Sequence, residues 1–220
     1  MEYTLSSTLS APTPAAVLSL FQQAADAHAG SMGVGFEVLL KRGLLWVVTR
    51  IRYRILKMPA PNQAVEITTW PLPPSRLGFE RNYIVTDPEG NLLIQGESLW
   101  VVIDTATRKL AAGGALYPQG DYRTDRPFAE RARRLRDFEG APAGCIVPTQ
   151  EHIDRNGHVN NTHYAAFAWD AAGKPAVHAF QIDYLHEVLV GQPLQLYTAD
   201  GKLVKGTDEN GTIMFNCVIE

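Results

Sequence analysis

The chain has 220 residues, 45% of them apolar and 20% charged, which suits a globular protein and excludes the disordered and low-complexity classes. The net charge of −3 argues against a nucleic-acid-binding protein, and the longest apolar run, residues 164–169, is too short to insert across a membrane. Cys145 and Cys217 are too few and too far apart for a disulfide framework or a zinc site, and without a Gly-rich phosphate loop no cofactor is expected.

The N-terminal segment, MEYTLSSTLSAP, has neither a basic start nor an apolar run, so no secretory signal is expected and the protein is predicted to be cytoplasmic. Thr13 and Pro14 are typical of a helix N-cap and a first helical residue, and apolar residues follow at helical spacing. This pattern predicts a first helix that ends at about Gly30.

Four strands are predicted next, because four segments rich in β-branched and aromatic residues are separated by turn sequences. They are residues 44–56, 64–72, 78–87 and 91–104. A helix followed by an antiparallel meander is therefore predicted for a first unit, residues 1–110.

Residues 111–143 contain Gly and Pro and are predicted to form a linker with a short Arg-rich helix. Six arginines lie between Arg123 and Arg136, whereas residues 140–220 carry four basic and nine acidic side chains. Any basic docking surface is therefore expected to include this linker.

The second unit, residues 144–220, repeats the order of the first. A strand is predicted at 145–150, a helix at 160–172 with Asn160 as its N-cap, and strands within 176–190, 192–201 and 211–220. Ile51-Arg52-Tyr53 aligns with residues 182–184 at an offset of 131. A helix wrapped by a long antiparallel sheet, twice in one chain, predicts an α+β fold of the tandem (double) hotdog type.

Residues 151–161, EHIDRNGHVNN, carry most of the candidate chemistry. Asp154, Asn156 and His158 alternate, so in an extended chain they project to one side. The N-terminus of the following helix suits a developing oxyanion, and the three side chains could orient water against a carbonyl. The alternative is a turn of capping side chains in which the histidine only makes local hydrogen bonds.

Glu187, in the segment DYLHE, is the second candidate element and is placed on the strand after the second helix. A carboxylate inside a sheet strand is unfavourable unless it is paired or functional, whereas a solvent-facing one has no such meaning. At the offset of 131, Glu187 corresponds to Leu56, and residues 5–11 contain no carboxylate or imidazole. One site per chain is therefore predicted.

The motif D-x-N-x-H-V-N-N, residues 154–161, is followed by an aromatic-rich helix and resembles the active-site motif of the acyl-ACP thioesterases, the family of the plant FatA and FatB enzymes. The first unit is similar to the same family in LLWVVTRIRY, VEITTWP and ESLWVVIDTATRKLA. The resemblance covers nearly the whole chain, in order.

This resemblance implies hydrolysis of the thioester between a fatty acyl chain and the phosphopantetheine arm of acyl carrier protein, without a cofactor. It implies that Glu187 and His158 polarise and deprotonate the attacking water. Asp154 would orient its neighbours and support the charge state of the imidazole, and Asn156 would hold the thioester carbonyl together with helix N–H groups. Val188 stands where plant members carry a cysteine, so direct attack by water is favoured over a covalent cysteine route.

The resemblance also implies where substrate and partner bind. Asn160, Asn161 and Trp46, the last in the LLWVV strand, are expected to contact substrate, and the first unit is expected to bury the acyl chain. Docking of the acidic carrier protein is expected at four linker arginines, unless these only form a solvated helix: Arg131, Arg133, Arg134 and Arg136. A homodimer is expected because hotdog proteins commonly associate.

Two other functions stay open from sequence. Acyl-CoA thioesterases of the 4-hydroxybenzoyl-CoA type share a D-x-x-G-H-V-N-N-like segment, which Asp154, Gly157 and His158 also fit. The double-length chain and the additional Asn156 favour the carrier-protein enzyme. A non-catalytic acyl-binding hotdog protein is the second alternative, and the complete set of four candidate catalytic residues argues against it.

Overall fold

The computed structural model describes residues 1–75, 78–111, 116–118 and 120–220. Its first half contains β1 (Tyr3–Leu9), α1 (Pro14–Ser31), α2 (Phe36–Leu40), β2 (Leu44–Ile55), β3 (Gln63–Pro71), β4 (Phe79–Thr86) and β5 (Leu92–Asp104). Its second half contains β6 (Ala141–Ile146), a 3-10 turn (Gln150–His152), α3 (Asn161–Ala171), β7 (Ala179–Tyr184), β8 (Leu194–Ala199), β9 (Leu203–Thr207) and β10 (Ile213–Ile219).

The ten strands of the described residues form one antiparallel sheet in the order β1-β3-β4-β5-β2-β7-β10-β9-β8-β6. The sheet consists of two halves with the same connectivity. Counted outward from the centre, the strands of the first half follow the order β2-β5-β4-β3-β1, and those of the second half follow the order β7-β10-β9-β8-β6. Ile51 on β2 lies directly opposite Ile182 on β7, and these are the two positions that the offset of 131 aligns. A twofold axis between two like units would place equivalent residues opposite each other in this way.

Both long helices begin at the predicted caps and pack on the sheet. The Thr13 hydroxyl accepts a hydrogen bond from the Ala16 N–H at 3.3 Å, and Asn160 caps α3. The Phe21 ring of α1 stacks on Tyr83 with 4.2 Å between centroids, inside one apolar core that runs under both helices. Among the described residues, we find no helix that combines the length and apolarity needed to cross a bilayer.

The four strands predicted for the first unit are confirmed, whereas β1, α2 and β9 were not predicted. The strand predicted at 145–150 starts earlier, at Ala141, so the expected linker boundary at residue 143 falls inside β6. The strand predicted at 176–190 was too long, because β7 ends at Tyr184. The N–H groups of Leu185 and His186 both donate to the Met214 carbonyl, which ends the regular pairing with β10.

The prediction of an Arg-rich helix in the linker was wrong for residues 116–118 and 120–140, which contain no helix. This segment runs over the polar face of the sheet, and sheet side chains satisfy its backbone groups in place of helical hydrogen bonds. Arg50 donates to the Ala132 carbonyl at 3.0 Å, and the Leu135 N–H donates to Asp183 at 2.8 Å. The Asp183 carboxylate, buried in β7, is paired with Arg50 at 2.6 Å. The division of the chain at residues 110 and 144 stays a prediction, since one sheet crosses both halves.

Candidate active site

The candidate catalytic residues lie in two connections of the second half. Residues 147–160 join β6 to α3, whereas residues 10–13 suffice at the equivalent place between β1 and α1. The second connection follows β7 and carries Glu187, which therefore lies beyond the strand and not within it as predicted. The extra length of the first connection gives the second half a long loop, with the candidate residues, that the first half lacks at the equivalent place.

Asp154, Asn156 and His158 are brought together by a closed turn, and not by the extended chain that their alternation suggested. The Asp154 N–H donates to the His158 carbonyl at 2.8 Å, and Ile153 bridges to Val159. The Asp154 carboxylate accepts the Asn156 N–H at 2.7 Å, as aspartate commonly does in turns. Positive φ at Gly157 (83°) allows the chain to reverse.

The imidazole of His158 is paired with Glu187, with 3.1 Å between Nε2 and Oε2. Two backbone hydrogen bonds hold their loops together. The Val159 N–H donates to the Val188 carbonyl at 2.9 Å, and the Val188 N–H donates to the Tyr164 hydroxyl at 2.9 Å. Burial raises the pKa of Tyr164, so this hydroxyl keeps its proton.

The contacts of Asp154 lie within the turn. Its carboxylate contacts the Asn156 side-chain amide at 3.3 Å and the His158 backbone N–H at 3.4 Å, and we find no contact with the imidazole among the described residues. The Asp154 carboxylate thus contacts the turn and the Asn156 amide, and the carboxylate that contacts the imidazole is that of Glu187.

The four side chains open on a cavity of about 310 Å³ at the junction of the two halves. A neighbouring cavity of about 300 Å³ reaches α1 at Gln22 and Asp26 and includes Trp100. Both cavities share four lining residues: Trp46, Asp154, Asn156 and Asn161. The turn at residues 154–158 thus lies between the cavity in front of His158 and the cavity beside α1.

The predicted substrate-binding residues differ in their surroundings. Trp46 and Asn161 line both cavities, and the Trp46 indole is fixed by donation to the Val34 carbonyl at 2.8 Å. The Asn160 side chain instead accepts from the Thr162 N–H and hydroxyl, each at 3.0 Å, and lines only the cavity beside α1.

Contacts between the two halves line the cavity beside α1. Arg155, in the turn at residues 154–158, lies 3.8 Å over the Phe36 ring of α2 and 3.5 Å from Asp26 of α1. Burial raises the pKa of Asp26, and Arg155 and Arg81 oppose this shift.

Neither cysteine lines the cavity that holds His158 and Glu187. Cys145 is exposed, and burial raises the pKa of Cys217 well above its usual value, so Cys217 is a protonated thiol. Across the part of the chain that the structure describes, no cluster of three His, Cys, Asp or Glu side chains has a metal-binding arrangement.

The four linker arginines are all exposed, but they differ in their ion pairs. Arg131 lies 3.1 Å from Glu80, and Arg133 lies 3.9 Å from Glu130. Arg134 lines an open cleft of about 560 Å³, and this cleft shares four lining residues with the cavity in front of His158: Thr49, Tyr184, Leu185 and His186. Of the four, Arg134 is therefore placed beside the candidate site.

Arg108 is a site residue that sequence reasoning missed. Its guanidinium contacts Glu187, and the residue lines the cavity in front of His158, although it comes from the turn after β5 in the first half. It lies within the segment 97–111 that carries the family resemblance, which is the only sequence signal that marks it.

A family model described as the acyl-ACP thioesterase N-terminal domain matches residues 10–112. The chain is 30% identical over 172 residues to the chloroplastic palmitoyl-acyl carrier protein thioesterase of Arabidopsis thaliana. The aligned region covers 71% of this chain and 42% of that protein. The chain is 27% identical over 221 residues to the chloroplastic dodecanoyl-[acyl-carrier-protein] hydrolase of Umbellularia californica, covering 90% and 56%. The chain thus spans about half or less of the length of these relatives.

Among solved structures, an acyl-ACP thioesterase from Bacteroides thetaiotaomicron superimposes with a TM-score of 0.86. The match covers 99% of this chain and 97% of that chain at 23% sequence identity. The predicted α+β, tandem hotdog fold is thereby confirmed.

Proposed function

The chain belongs to the acyl-ACP thioesterase family, and on this premise we propose that it hydrolyses the thioester of fatty acyl-[acyl carrier protein] and releases free fatty acid. The observation that carries this proposal is the His158–Glu187 pair, with 3.1 Å between Nε2 and Oε2, at the wall of a cavity shared by both halves. An imidazole paired with a carboxylate can take a proton from water at neutral pH.

In the proposed reaction, a water molecule beside His158 gives its proton to the His158–Glu187 pair while its oxygen bonds to the thioester carbon. Negative charge develops on the carbonyl oxygen and is stabilised by the Asn156 amide and the N-terminus of α3. The carbon–sulfur bond then breaks, and the pair returns the proton to the phosphopantetheine sulfur. Asp154 contributes by holding the turn and the amide in place.

Water is the proposed nucleophile because the cavity offers no thiol. Val188 is buried at the position after Glu187, and Cys217 is enclosed in the core with a raised pKa. A thiolate that could attack the substrate is therefore lacking among the described cavity residues.

The acyl chain is proposed to lie in the cavity beside α1, and the thioester in the cavity in front of His158. Trp46 and Asn161 line both and would contact the acyl chain close to the thioester. Asn160 is better assigned to capping α3 than to substrate. The exposed linker arginines are proposed to steer the acidic carrier protein to this side of the molecule.

The test measures thiol release from fatty acyl-ACP and from acyl-CoA by the purified protein. We expect release from acyl-ACP with the higher kcat/KM. Equal or better cleavage of acyl-CoA would favour the 4-hydroxybenzoyl-CoA type of activity, and acyl binding without thiol release would favour a non-catalytic binding protein. Cytoplasmic location and a homodimer stay predictions that fractionation and light scattering would test.

Single variants test the proposed residues. His158→Gln and Glu187→Gln are expected to lower kcat by about two to four orders of magnitude, as the loss of general acid–base catalysis does. His178→Gln, at an exposed histidine outside the cavity, is the matched control and should keep wild-type turnover. Wild-type rates in either site variant would remove that residue from the mechanism.

A further inference from the structure

We propose that Arg108 is a positioning residue whose guanidinium fixes the Glu187 carboxylate so that Oε2 faces His158. This inference rests on the proposed function, which gives the His158–Glu187 pair its role. An Arg108 Nη contacts the same Glu187 oxygen that lies 3.1 Å from His158 Nε2. The carboxylate is thus held between a guanidinium from the first half and an imidazole from the second.

Arg108 is the only Lys or Arg among the described residues that line the catalytic cavity. It can reach Glu187 because β5 and β7 flank β2 and both run antiparallel to it, so the connections after β5 and β7 leave the sheet in the same direction. A guanidinium is planar and carries its donors in a rigid fork, so it fixes the direction of a carboxylate better than a flexible ammonium group does. With 43% of the Arg108 side chain and 39% of the Glu187 side chain exposed, the carboxylate would otherwise be free to change rotamer.

The backbone at this position supports a functional role for the side chain. Arg108 has a φ of 58°, in the left-handed region that favours glycine and is unfavourable for residues that carry a Cβ. The turn is built by Asp104, whose carboxylate accepts the Thr107 N–H at 2.8 Å and whose carbonyl accepts the Arg108 N–H at 2.9 Å. Conformations of this kind are retained where a side chain is used.

Arg108→Gly tests the role without damaging the turn, because glycine suits the positive φ. We expect a melting temperature equal to or above that of the wild type. The kcat for acyl-ACP hydrolysis should fall by about ten- to hundredfold, the cost of a misplaced catalytic group. KM should stay within about twofold, since the guanidinium acts on Glu187 and not on substrate. Lys109→Gln removes the same charge from the next, exposed side chain and should keep the wild-type kcat.

A rescue experiment distinguishes the positioning of Glu187 from a purely structural role of Arg108. Arg108→Lys, or millimolar guanidinium added to Arg108→Gly, should restore part of the lost kcat. The same addition should leave Glu187→Gln inactive. A wild-type kcat in Arg108→Gly, or a rise in KM alone, would overturn the assignment. An inactive wild-type protein would refute the proposed function and the role of Arg108 with it, whereas an active wild type beside an unaffected Arg108→Gly refutes only the latter.

Discussion

His28, in the last turn of α1, is expected to make the protein less stable in mild acid. The side chain is buried, its Nδ1 accepts a hydrogen bond from Arg81 at 3.0 Å, and its ring stacks on Tyr3 with 5.6 Å between centroids. Burial first, and then the charges of Arg81 and the N-terminus, lower the pKa of His28 from 6.5 to about 4. Protonation would break the hydrogen bond and place a second cation beside the guanidinium.

The sign and size of the effect follow from linkage. Because the pKa of His28 is lower in the folded protein, the unfolded chain binds more protons between pH 6.5 and 4, and stability is lost as the pH falls through this window. Between pH 7.5 and 5 the free energy of unfolding should drop by about 2 kcal/mol from this group alone.

Urea unfolding at pH 7.5 and pH 5 measures this loss. His28→Gln keeps an acceptor for Arg81 but cannot be protonated, so its free energy of unfolding should depend less on pH by about the same 2 kcal/mol. His178→Gln, at an exposed histidine, is the control and should follow the wild type. Parallel pH dependence in His28→Gln and the wild type would refute the reasoning.

Two further predictions concern packing and partner binding. A Cβ at Gly96 would overlap the buried Phe21 ring, so Gly96→Ala should lower the free energy of unfolding by about 1–3 kcal/mol. A Cβ at Gly30, in α1, would meet open space, so Gly30→Ala should raise the free energy of unfolding by up to about 1 kcal/mol. Similar free energies for the two variants in urea titrations would contradict this packing argument. Arg134→Gln should raise the KM for acyl-ACP more than Arg136→Gln does, since Arg134 lines the cleft beside the site. This increase should shrink at high salt, and a KM insensitive to salt would exclude electrostatic steering.

Local sequence patterns predicted the helices and strands whose apolar residues recur at regular spacing. They missed the elements that form only by pairing with residues far away in the chain. Helix α1 was predicted from the cap at Thr13 and its apolar spacing. Strand β1, with the polar sequence YTLSSTL, is an edge strand whose pairing with β3 places Tyr3 opposite Thr69. Only the internal repeat could have predicted it, because β6 occupies the same place in the second half.

The candidate site was likewise predicted only in part from local sequence. The motif at residues 154–158 identified its members, but not their turn, which depends on the acceptor geometry of the Asp154 carboxylate. The contact between Arg108 and Glu187 joins residues from opposite halves of the chain and follows from the pairing of β2 with β7. The Arg-rich helix was mispredicted because helix propensity takes no account of the sheet side chains, such as Arg50, that hold the linker backbone.

The contact of Arg155 with Phe36 joins the two connections in which the halves differ most, residues 147–160 and the segment that carries α2. In a symmetric dimer of the second half alone, the long loop would face the short turn at residues 172–178. In a symmetric dimer of the first half alone, α2 would face residues 10–13. A single unit with both additions would form two clefts by symmetry. Joining two unlike halves in one chain therefore brings the long loop and α2 together once, so that one side can carry His158 and Glu187 while the other is free to change in sequence.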